Sequence, residues 1–145
     1  MIKHLDKTSQ HILKLLQENG RATYASIAEQ VGLSTPAVKE RMLKMEDAGI
    51  ITGYTVQINK EALGYSIGAF LLVDVPYERD QAFAQFAKTH ESISECYHIL
   101  GNRAFILRIH MKEMSELEAL IQQCLKYGQP TTYMLLSEIK GPEIG

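Results

Sequence analysis

The hydrophobic positions in the first third of the chain repeat with the period of an α-helix. Between residues 6 and 48, apolar residues recur three or four positions apart in three runs separated by short polar turns. Each run follows a residue that commonly caps a helix, and these residues are Asp6, Thr23 and Ser34. Gly20 follows the first run and Gly49 the third, as expected where helices end. The pattern therefore predicts three short helices.

The third run has the features of a DNA recognition helix. Val38, Met42 and Met45 form one apolar stripe that would face a core, and Pro36 falls in the first turn, where its missing N–H costs nothing. The opposite arc carries Lys39, Glu40, Leu43, Lys44 and Asp47. The tight connection from the second run is typical of a helix-turn-helix, whose second helix enters the major groove. An ordinary three-helix bundle without a nucleic-acid partner would give the same pattern.

The second half of the chain changes to strand periodicity. A continuous apolar run at residues 67–75, ended by Pro76, predicts a strand, and helical spacing predicts a helix within residues 78–90. A second strand is predicted over residues 93–100. Gly101-Asn102 then indicates a two-residue hairpin. The return strand alternates, with one face formed by Phe105, Leu107, Ile109 and Met111 and the other by Ala104, Ile106, Arg108 and His110.

A second helix and a last strand complete this half. Ser115 and Glu118 fit a capping box that opens the helix. Its inward positions are predicted to be Leu117, Leu120, Ile121, Cys124 and Leu125. Gly128 and Pro130 would stop it, and residues 131–139 would form the strand. The order β-α-β-β-α-β places the protein in the α+β class, with a ferredoxin-like four-stranded antiparallel sheet and both helices on one face.

The opposite sheet face is left without cover by this topology. It would include Ala69 or Phe70, Ile106 and members of the run 134–136. An exposed apolar sheet face indicates a protein–protein contact, so we expect a homodimer joined through the sheets. Its twofold symmetry would suit a palindromic DNA site.

The domain boundaries are predicted from the change of period. Residues 1–52 form the helix-turn-helix domain, 53–64 a connecting strand and hinge, and 65–145 the βαββαβ domain, whose uncovered sheet face makes it the domain of oligomerisation. Residues 50–58 alternate as a strand does, and no Ser/Pro-rich linker interrupts them.

Charge and cysteine content refine this picture without deciding it. The net charge is −2, but residues 1–60 hold eight Lys or Arg against six Asp or Glu, whereas residues 61–145 hold seven against eleven. This bias suits DNA binding by the helical half, and a solvated surface explains it almost as well. Cys96 and Cys124 are interpreted as buried thiols in a reducing compartment. No leader or membrane span is apparent, so we expect a cytoplasmic protein with no membrane partner.

A set of residues in the first 64 positions follows the pattern of one known family. These residues are Leu5-Asp6, Ile12-Leu13, Leu15-Leu16, Gly20-Arg21, Ile27-Ala28, Val31-Gly32-Leu33-Ser34, Val38, Arg41, Met45-Glu46, Gly49-Ile50-Ile51, Gly53-Tyr54 and Leu63-Gly64. Together with the βαββαβ half, they make the sequence resemble the Lrp/AsnC family, the feast/famine transcription regulators of bacteria and archaea. The resemblance implies a winged helix-turn-helix and a regulation-of-amino-acid-metabolism (RAM, ACT-like) domain. It also implies dimers that assemble into DNA-wrapping octamers, and an amino-acid or other small-molecule effector bound near the loop between the second and third sheet strands.

Candidate DNA-binding residues follow from the resemblance position by position. Ser34, Thr35 and Pro36 match the start of the family's recognition helix. Lys39 and Lys44 are cations for phosphate, and Thr35, Pro36, Lys39 and Glu40 are candidates for base edges. Arg21 and Tyr24 are further candidates for phosphate. Arg41 lies nearer the core stripe, so its family match reflects either a backbone contact or an intramolecular ion pair.

The effector site departs from the family pattern. Amino-acid-binding members usually have Gly-Asp-x-Asp at the hairpin, whereas this chain has Gly101-Asn102-Arg103-Ala104. Both carboxylates are missing and a cation is present, which suits a carboxylate ligand or a neighbouring acid. Thr131 and Thr132 complete the candidate set. Two hypotheses remain open: an altered effector, or none, the protein then being an effector-independent DNA-organising factor.

An enzyme is the alternative class. Some relatives are haem-pathway decarboxylases on the same frame, so the fold alone does not decide the function. The histidines show no close metal-ligand spacing, and no Gly-rich phosphate loop, Cys-x-x-Cys or nucleophile elbow occurs. The sequence therefore predicts no catalytic residue, no metal site and no cofactor.

Overall fold

The computed structural model describes residues 5–102 and 104–141, and the chain divides into two compact units. Among the described residues, unit 1 comprises residues 5–57 and 140–141, and unit 2 lies within Ile58–Ile139. The two units are described separately below.

Unit 1 contains the three predicted helices, each starting after the predicted cap. They are α1 (Lys7–Glu18), α2 (Tyr24–Val31) and α3 (Thr35–Asp47). Asp6, Thr23 and Ser34 each accept a hydrogen bond from the backbone N–H three residues ahead, which satisfies an otherwise free donor of the first turn.

The helix ends also have local causes. Gly32 ends α2 with a φ of +69°, and Gly49, one residue past the end cap of α3, has the same φ. Both adopt the left-handed conformation that glycine tolerates best. Helix α1 ends differently, because its end cap is Asn19 in an extended conformation, and Gly20 lies one residue beyond.

The core of unit 1 joins all three helices. It consists of Ile12, Ile27, Ala28, Val38, Met42 and Met45, with Ile50 and Ile51 packed against it. The predicted stripe of α3 is thus buried. No strand occurs between residues 5 and 57, so the described part of this unit has no β-hairpin wing.

The connecting strand predicted over residues 53–64 is wrong for this chain. Residues 53–58 have no regular secondary structure, and Glu61–Leu63 form a 3₁₀ turn that ends at Gly64 with a φ of +86°. A strand is stabilised by hydrogen bonds to a neighbouring strand. Residues 53–58 have no such neighbour in the part of the chain that the structure describes.

Unit 2 has the predicted order and antiparallel sheet, so the α+β assignment is confirmed. The elements are β1 (Ile67–Asp74), α4 (Asp80–Thr89), β2 (Ile93–His98), β3 (Phe105–Met111), α5 (Met114–Cys124) and β4 (Gln129–Met134). The strand order across the sheet is β2-β3-β1-β4. A 3₁₀ turn, Tyr77–Arg79, precedes α4.

Both helices of unit 2 cover one face of the sheet. Alternate residues of β1 and β3 are buried there, and the predicted inward face of β3 is confirmed. Phe83 and Ala87 of α4 and Leu117, Leu120 and Cys124 of α5 complete this core. Ala69 belongs to the core, so Phe70 rather than Ala69 lies on the opposite face, as strand alternation requires.

Several local predictions in unit 2 are wrong. Six residues separate β2 from β3, with Ile99 N donating to Ala104 O at 2.8 Å, and no positive φ is found at Gly101 or Asn102, so the predicted two-residue turn is not formed. Leu125 is 42% exposed, since it lies just past the last turn of α5. Strand β4 ends at Met134 rather than at residue 139, and in this register β1, which begins at Ile67, offers no partner beyond residue 136.

The capping box of α5 also lies elsewhere. The helix begins at Met114, one residue before the predicted cap Ser115. The Glu116 carboxylate accepts from the backbone N–H groups of Lys112 and Glu113, at 2.9 and 3.2 Å. Glu116 therefore has the backward-reaching role that the sequence interpretation gave to Glu118.

Gly128 allows a close approach between the turn after α5 and the end of β1. A Cβ atom at residue 128 would lie 2.1 Å from the carbonyl oxygen of Asp74 and 2.9 Å from the Cα atom of Val75. No side chain fits at that distance. Gly128 is thus required by packing, in addition to ending a helix.

The two cysteines are free thiols, with Cys96 half-buried and Cys124 buried. Burial raises the pKa of both thiols, that of Cys124 to about 11. They are therefore protonated near neutral pH and behave as apolar core groups. No helix in the described ranges is long and apolar enough to cross a membrane.

Candidate nucleic-acid interface

The outer surface of α3 presents a ridge flanked by two lysines. Pro36, Glu40, Leu43 and Asp47 are spaced like the buried stripe but lie on the opposite side of the helix, and all four are exposed. We call these four residues the outer ridge. Lys39 and Lys44 are exposed on opposite sides of it. A helix of this kind can direct its ridge at base edges and its flanks at the two phosphate backbones.

The predicted residues at the start of α3 lie together at one end of the helix. Ser34, Thr35 and Pro36 are all exposed, and the Ser34 hydroxyl accepts from Ala37 N at 3.3 Å. The N-terminus of a helix carries a partial positive charge and free N–H donors, which favour phosphate. This end of α3 therefore has the partial positive charge that favours phosphate, and its side chains are small.

Glu40 and Lys44 form an ion pair along the helix. Lys44 Nζ lies 2.8 Å from Glu40 Oε1, one turn apart, and both side chains are largely exposed. The hydrogen bond and charge of Lys44 lower the pKa of the Glu40 carboxyl, so Glu40 is ionised and acts only as an acceptor. Lys39 has no ion pair with any residue in the described ranges.

Arg41 is directed into unit 1 rather than toward the outer ridge. Its Nη1 atom donates to Asp6 Oδ2 at 2.6 Å and to Ser9 Oγ at 3.0 Å. Of the two interpretations of Arg41, the structure shows the intramolecular ion pair. The Arg41 hydrogen bond, followed by those from Ser9, lowers the pKa of the Asp6 carboxyl to about 2. We call this contact between the start of α1 and the middle of α3 the Asp6–Arg41 clasp.

Arg21 and Tyr24 lie at the start of α2. Arg21 is exposed in the turn before this helix, and Tyr24, its first residue, is partly exposed. In a helix-turn-helix, the start of this helix lies near the DNA backbone. Both residues are in unit 1 with α3, as the sequence interpretation required.

A tyrosine that the sequence reasoning did not single out contacts the end of α3. Tyr54 donates its hydroxyl to Glu46 Oε1 at 2.8 Å. Partial burial, together with the neighbouring Glu46 carboxylate, raises the pKa of Tyr54 to about 12. The phenol therefore stays protonated and remains a donor, which ties the segment after α3 to that helix.

The described candidate effector residues lie in two segments, the loop after β2 and strand β4. Gly101 and Asn102 are exposed in the loop after β2, whereas Ala104 is half-buried and donates to Val73 O at 3.2 Å. Arg103 lies outside the described residues. Thr131 and Thr132 are adjacent in β4, so their side chains point to opposite sheet faces.

The open face of the sheet, opposite the helices, carries an arginine cluster that the sequence reasoning missed. Arg108 Nη2 lies 2.6 Å from Glu138 Oε2, Nη1 lies 3.6 Å from Glu95 Oε1, and the guanidinium lies 5.9 Å from the Phe70 ring centroid. Arg108 Nε is buried without a hydrogen-bond partner. Alternation in β3 indicated this face, but the partners come from β2 and from beyond β4, and no local pattern reveals them.

A histidine–aspartate pair lies near the start of α4. His98 Nε2 is 3.7 Å from Asp80 Oδ2, and the His98 ring stacks on Phe105 with centroids 4.6 Å apart. Within the described residues, no group of three or more His, Cys, Asp or Glu is arranged to bind a metal ion.

Two family models match the chain, and together they span most of it. Residues 5–52 match a winged helix-turn-helix DNA-binding model, and residues 68–143 match the model of the Lrp/AsnC ligand binding domain. The first match includes α1, α2 and α3. The second includes every strand of the sheet apart from the first residue of β1.

Individual proteins agree with these matches. The chain is 35% identical over 133 residues to YezC, an uncharacterized HTH-type transcriptional regulator of Bacillus subtilis, covering 92% of this chain and 94% of that protein. The structure of B. subtilis LrpC matches with a TM-score of 0.89 and 27% identity, over 94% of this chain and 98% of LrpC. The Neisseria meningitidis regulator NMB0573, solved as a complex with L-Met, also has a TM-score of 0.89 and 27% identity, covering 96% of this chain and 94% of that one.

Proposed function

The chain belongs to the Lrp/AsnC family of DNA-binding transcriptional regulators, and from this we propose that it acts as a dimer that docks two copies of α3 in successive major grooves. The outer ridge faces the base edges, and Lys39 and Lys44 reach phosphates on either side. The start of α3, with Ser34 and Thr35, approaches a further phosphate. The single observation that supports this proposal best is the exposed, unneutralised Lys39 beside the outer ridge.

The difference between Lys39 and Lys44 makes the proposal specific. Lys44 is already paired with Glu40, so phosphate binding there exchanges one partner for another. Lys39 has no such pair and contributes its full charge. Arg41 is engaged by Asp6 and Ser9 and takes no part in the DNA contact. Arg21 and Tyr24 add contacts at the backbone that α2 crosses.

Measuring duplex binding across salt concentrations tests the role of Lys39. Each phosphate contact steepens the dependence of log K on log salt by about 0.9, so Lys39→Ala should lower the slope by about 1.8 for a dimer with two recognition helices. Lys88→Ala, an exposed lysine of α4 in the other unit, is the matched control and should leave the slope unchanged. Equal salt slopes for the wild type, Lys39→Ala and Lys88→Ala would refute the proposed contact between Lys39 and phosphate.

The second subunit is proposed to pack on the open face of the sheet. Phe70, Leu72 and Ile106 line this face, with Tyr97 and Tyr133 exposed on it. Its apolar character supports a second copy as the occupant, and the orphaned Arg108 Nε would find an acceptor there. Further assembly to an octamer would place several recognition helices on one DNA segment, and their combined contacts would offset the cost of bending it.

Regulation would follow from how the DNA is occupied and bent. A bound assembly that covers a promoter excludes polymerase, whereas a bend beside a promoter favours contacts with it. An effector would act by binding one assembly or dimer spacing better than another. Exclusion of polymerase and contact with it would both use the same recognition helices.

The effector is proposed to differ from an α-amino acid held through its ammonium group, or to be absent. The chain has the Lrp/AsnC ligand binding domain, and one structural relative was solved with L-Met. In this chain, however, the loop after β2 carries Gly101 and Asn102 and lacks the acidic pair. A thermal-shift titration with each of the twenty amino acids should give no saturable stabilisation. Saturable stabilisation by any one of them would contradict the effector-free version of the proposal.

A further inference from the structure

The outer ridge of α3 contains a leucine at a position where a polar residue would be expected on a solvated surface. At about 100° per residue, Leu43 lies about 140° around the helix from the buried Val38. Its side chain is 45% exposed, whereas that of Val38 is fully buried. A single exposed leucine is ordinary on a protein surface. Leu43 differs because it belongs to the ridge between the two lysines.

The neighbours of Leu43 on the ridge leave it free to contact DNA. Glu40, three residues earlier, is tied to Lys44, and Asp47, four residues later, lies in the last turn. Leu43 therefore lies between an ion-paired carboxylate and the far end of the helix. A base edge that approaches Leu43 itself meets an apolar side chain rather than a donor or acceptor.

We infer that Leu43 is a specificity-determining residue that contacts the C5-methyl group of a thymine in the major groove. Among the four base pairs, only those with thymine present an apolar group in that groove. A leucine side chain there gains by burying against a methyl group and discriminates against cytosine, which presents an amino group and no methyl. This inference rests on the proposed docking of α3 and adds a base preference to it.

The test removes the methyl group from the DNA. A random-sequence duplex pool is amplified once with thymidine and once with deoxyuridine triphosphate, and the chain selects its sites from both pools. A single recovered duplex is then synthesised with each thymine in turn replaced by uracil. Its affinity is measured for the wild type and for Leu43→Ala.

The expected result is a loss of affinity confined to one thymine in each half-site. Replacing that thymine with uracil should weaken wild-type binding about fourfold, the value of one buried methyl group. Leu43→Ala should bind the thymine and uracil duplexes equally, and the thymine preference at that position should be missing from the uracil pool. The inference would be overturned if, at every thymine, replacement by uracil changed the affinity of the wild type and of Leu43→Ala by the same factor.

Controls separate this inference from the proposed function on which it rests. Leu125→Ala removes a leucine that is 42% exposed and lies outside α3, and it should keep the wild-type response to uracil. Circular dichroism checks that Leu43→Ala is folded. If the wild type binds duplex with the Lys39-dependent salt slope but ignores the methyl groups, only the inference on Leu43 fails. If it binds no duplex at any salt concentration, the docking of α3 fails, and this inference with it.

Discussion

At the scale of single residues, the Asp6 carboxylate caps helix α1 and also binds Arg41 of helix α3. Asp6 Oδ1 accepts from Ser9 N at 2.7 Å at the start of α1, and Oδ2 accepts from Arg41 Nη1 of α3 at 2.6 Å. This contact directs Arg41 away from the outer ridge. The cations of α3 that remain for the proposed phosphate contacts are Lys39 and Lys44. An arginine that matches the family pattern thus has an internal role.

The Asp6–Arg41 clasp should make stability depend on acid pH. The pKa of Asp6 is lowered from 3.8 to about 2 in the folded protein, so the folded state favours the carboxylate. Its contribution is fully present above pH 4 and is lost as the pH falls from about 4 to about 2. Asp6→Asn retains a capping side chain but lacks the charge.

Thermal unfolding followed from pH 7 to pH 2 measures this effect. Asp6→Asn should melt below the wild type at pH 7, and the difference should shrink as the pH approaches 2. Glu18→Gln is the control, since Glu18 makes only a long, exposed ion pair with Lys14 at 3.9 Å. A difference between Asp6→Asn and the wild type that stays constant down to pH 2 would contradict the role assigned to the clasp.

At the scale of elements, local features could be predicted and features that depend on partners could not. Capping by Ser34 and the periodic stripe of α3 involve neighbours in sequence, so the helices and their starts follow from the printed residues. The strand expected at residues 53–58 needed a partner that is absent from the described chain. Arg41 shows the same distinction within the site, because its ion pair depends on Asp6, 35 residues away.

The loop after β2 shows that strand pairing can be predicted where turn geometry cannot. Gly101-Asn102 suits a two-residue turn, and the observed register, which pairs His98 with Phe105, is the one that such a turn would give. That register places Phe105, Leu107 and Ile109 in the core, although Gly101 and Asn102 do not adopt the positive φ of such a turn. The exposed lysines of α3 could be predicted, whereas the arginine cluster of the open face could not.

Ser34 gives a test of capping that separates stability from DNA binding. Ser34→Ala removes the hydroxyl that accepts from Ala37 N and should lower the free energy of unfolding by about 1 kcal/mol. Ser34→Asp restores a cap but adds a negative charge at the end of α3 proposed to approach phosphate. Urea unfolding should show that Ser34→Asp recovers the stability lost in Ser34→Ala. The duplex affinity of Ser34→Asp should nevertheless fall below that of Ser34→Ala. Equal affinities of the two variants would place this helix end away from DNA.

Gly128 gives a test of the packing between the turn after α5 and β1. Gly128→Ala places a Cβ atom against the backbone of Asp74 and Val75 and should destabilise the protein by at least about 2 kcal/mol in urea unfolding. Gly101→Ala is the control, because no atom of the described residues, apart from the adjoining ones in the chain, lies within 4 Å of the added Cβ. Its effect should stay within about 0.5 kcal/mol. Similar stabilities for the two variants would contradict the close approach at Gly128.

At the scale of the whole molecule, the chain combines a helical DNA-binding unit with a second unit whose two helices cover one face of its own sheet. The helices α4 and α5 bury one face around Phe83 and Leu107, whereas the other face leaves Tyr97 and Tyr133 exposed. A regulator that docks two recognition helices needs a symmetric contact between subunits. The proposed contact through the open face would meet that need with residues of unit 2.

Exposed tyrosines on and off this face provide a matched test of dimerisation. Tyr133→Asp introduces a charge on the open face at a residue that is 55% exposed, so the subunit should still fold. The dissociation constant of the dimer should rise about 30-fold or more, as for an interface hot spot. Tyr77→Asp alters a tyrosine that is 87% exposed and lies outside the sheet. Sedimentation measures both variants, and an unchanged dimer for Tyr133→Asp would assign the subunit contact to another surface.

The measurement that tests the central claim most directly is hydroxyl-radical footprinting of a duplex selected by the wild-type protein. Two recognition helices docked by one dimer should protect two tracts whose centres lie about 34 Å apart along the duplex, one helical turn. Lys39→Ala should weaken both tracts equally. A single tract, uniform protection along the fragment, or no protection even at low salt would contradict the claim that paired copies of α3 bind DNA.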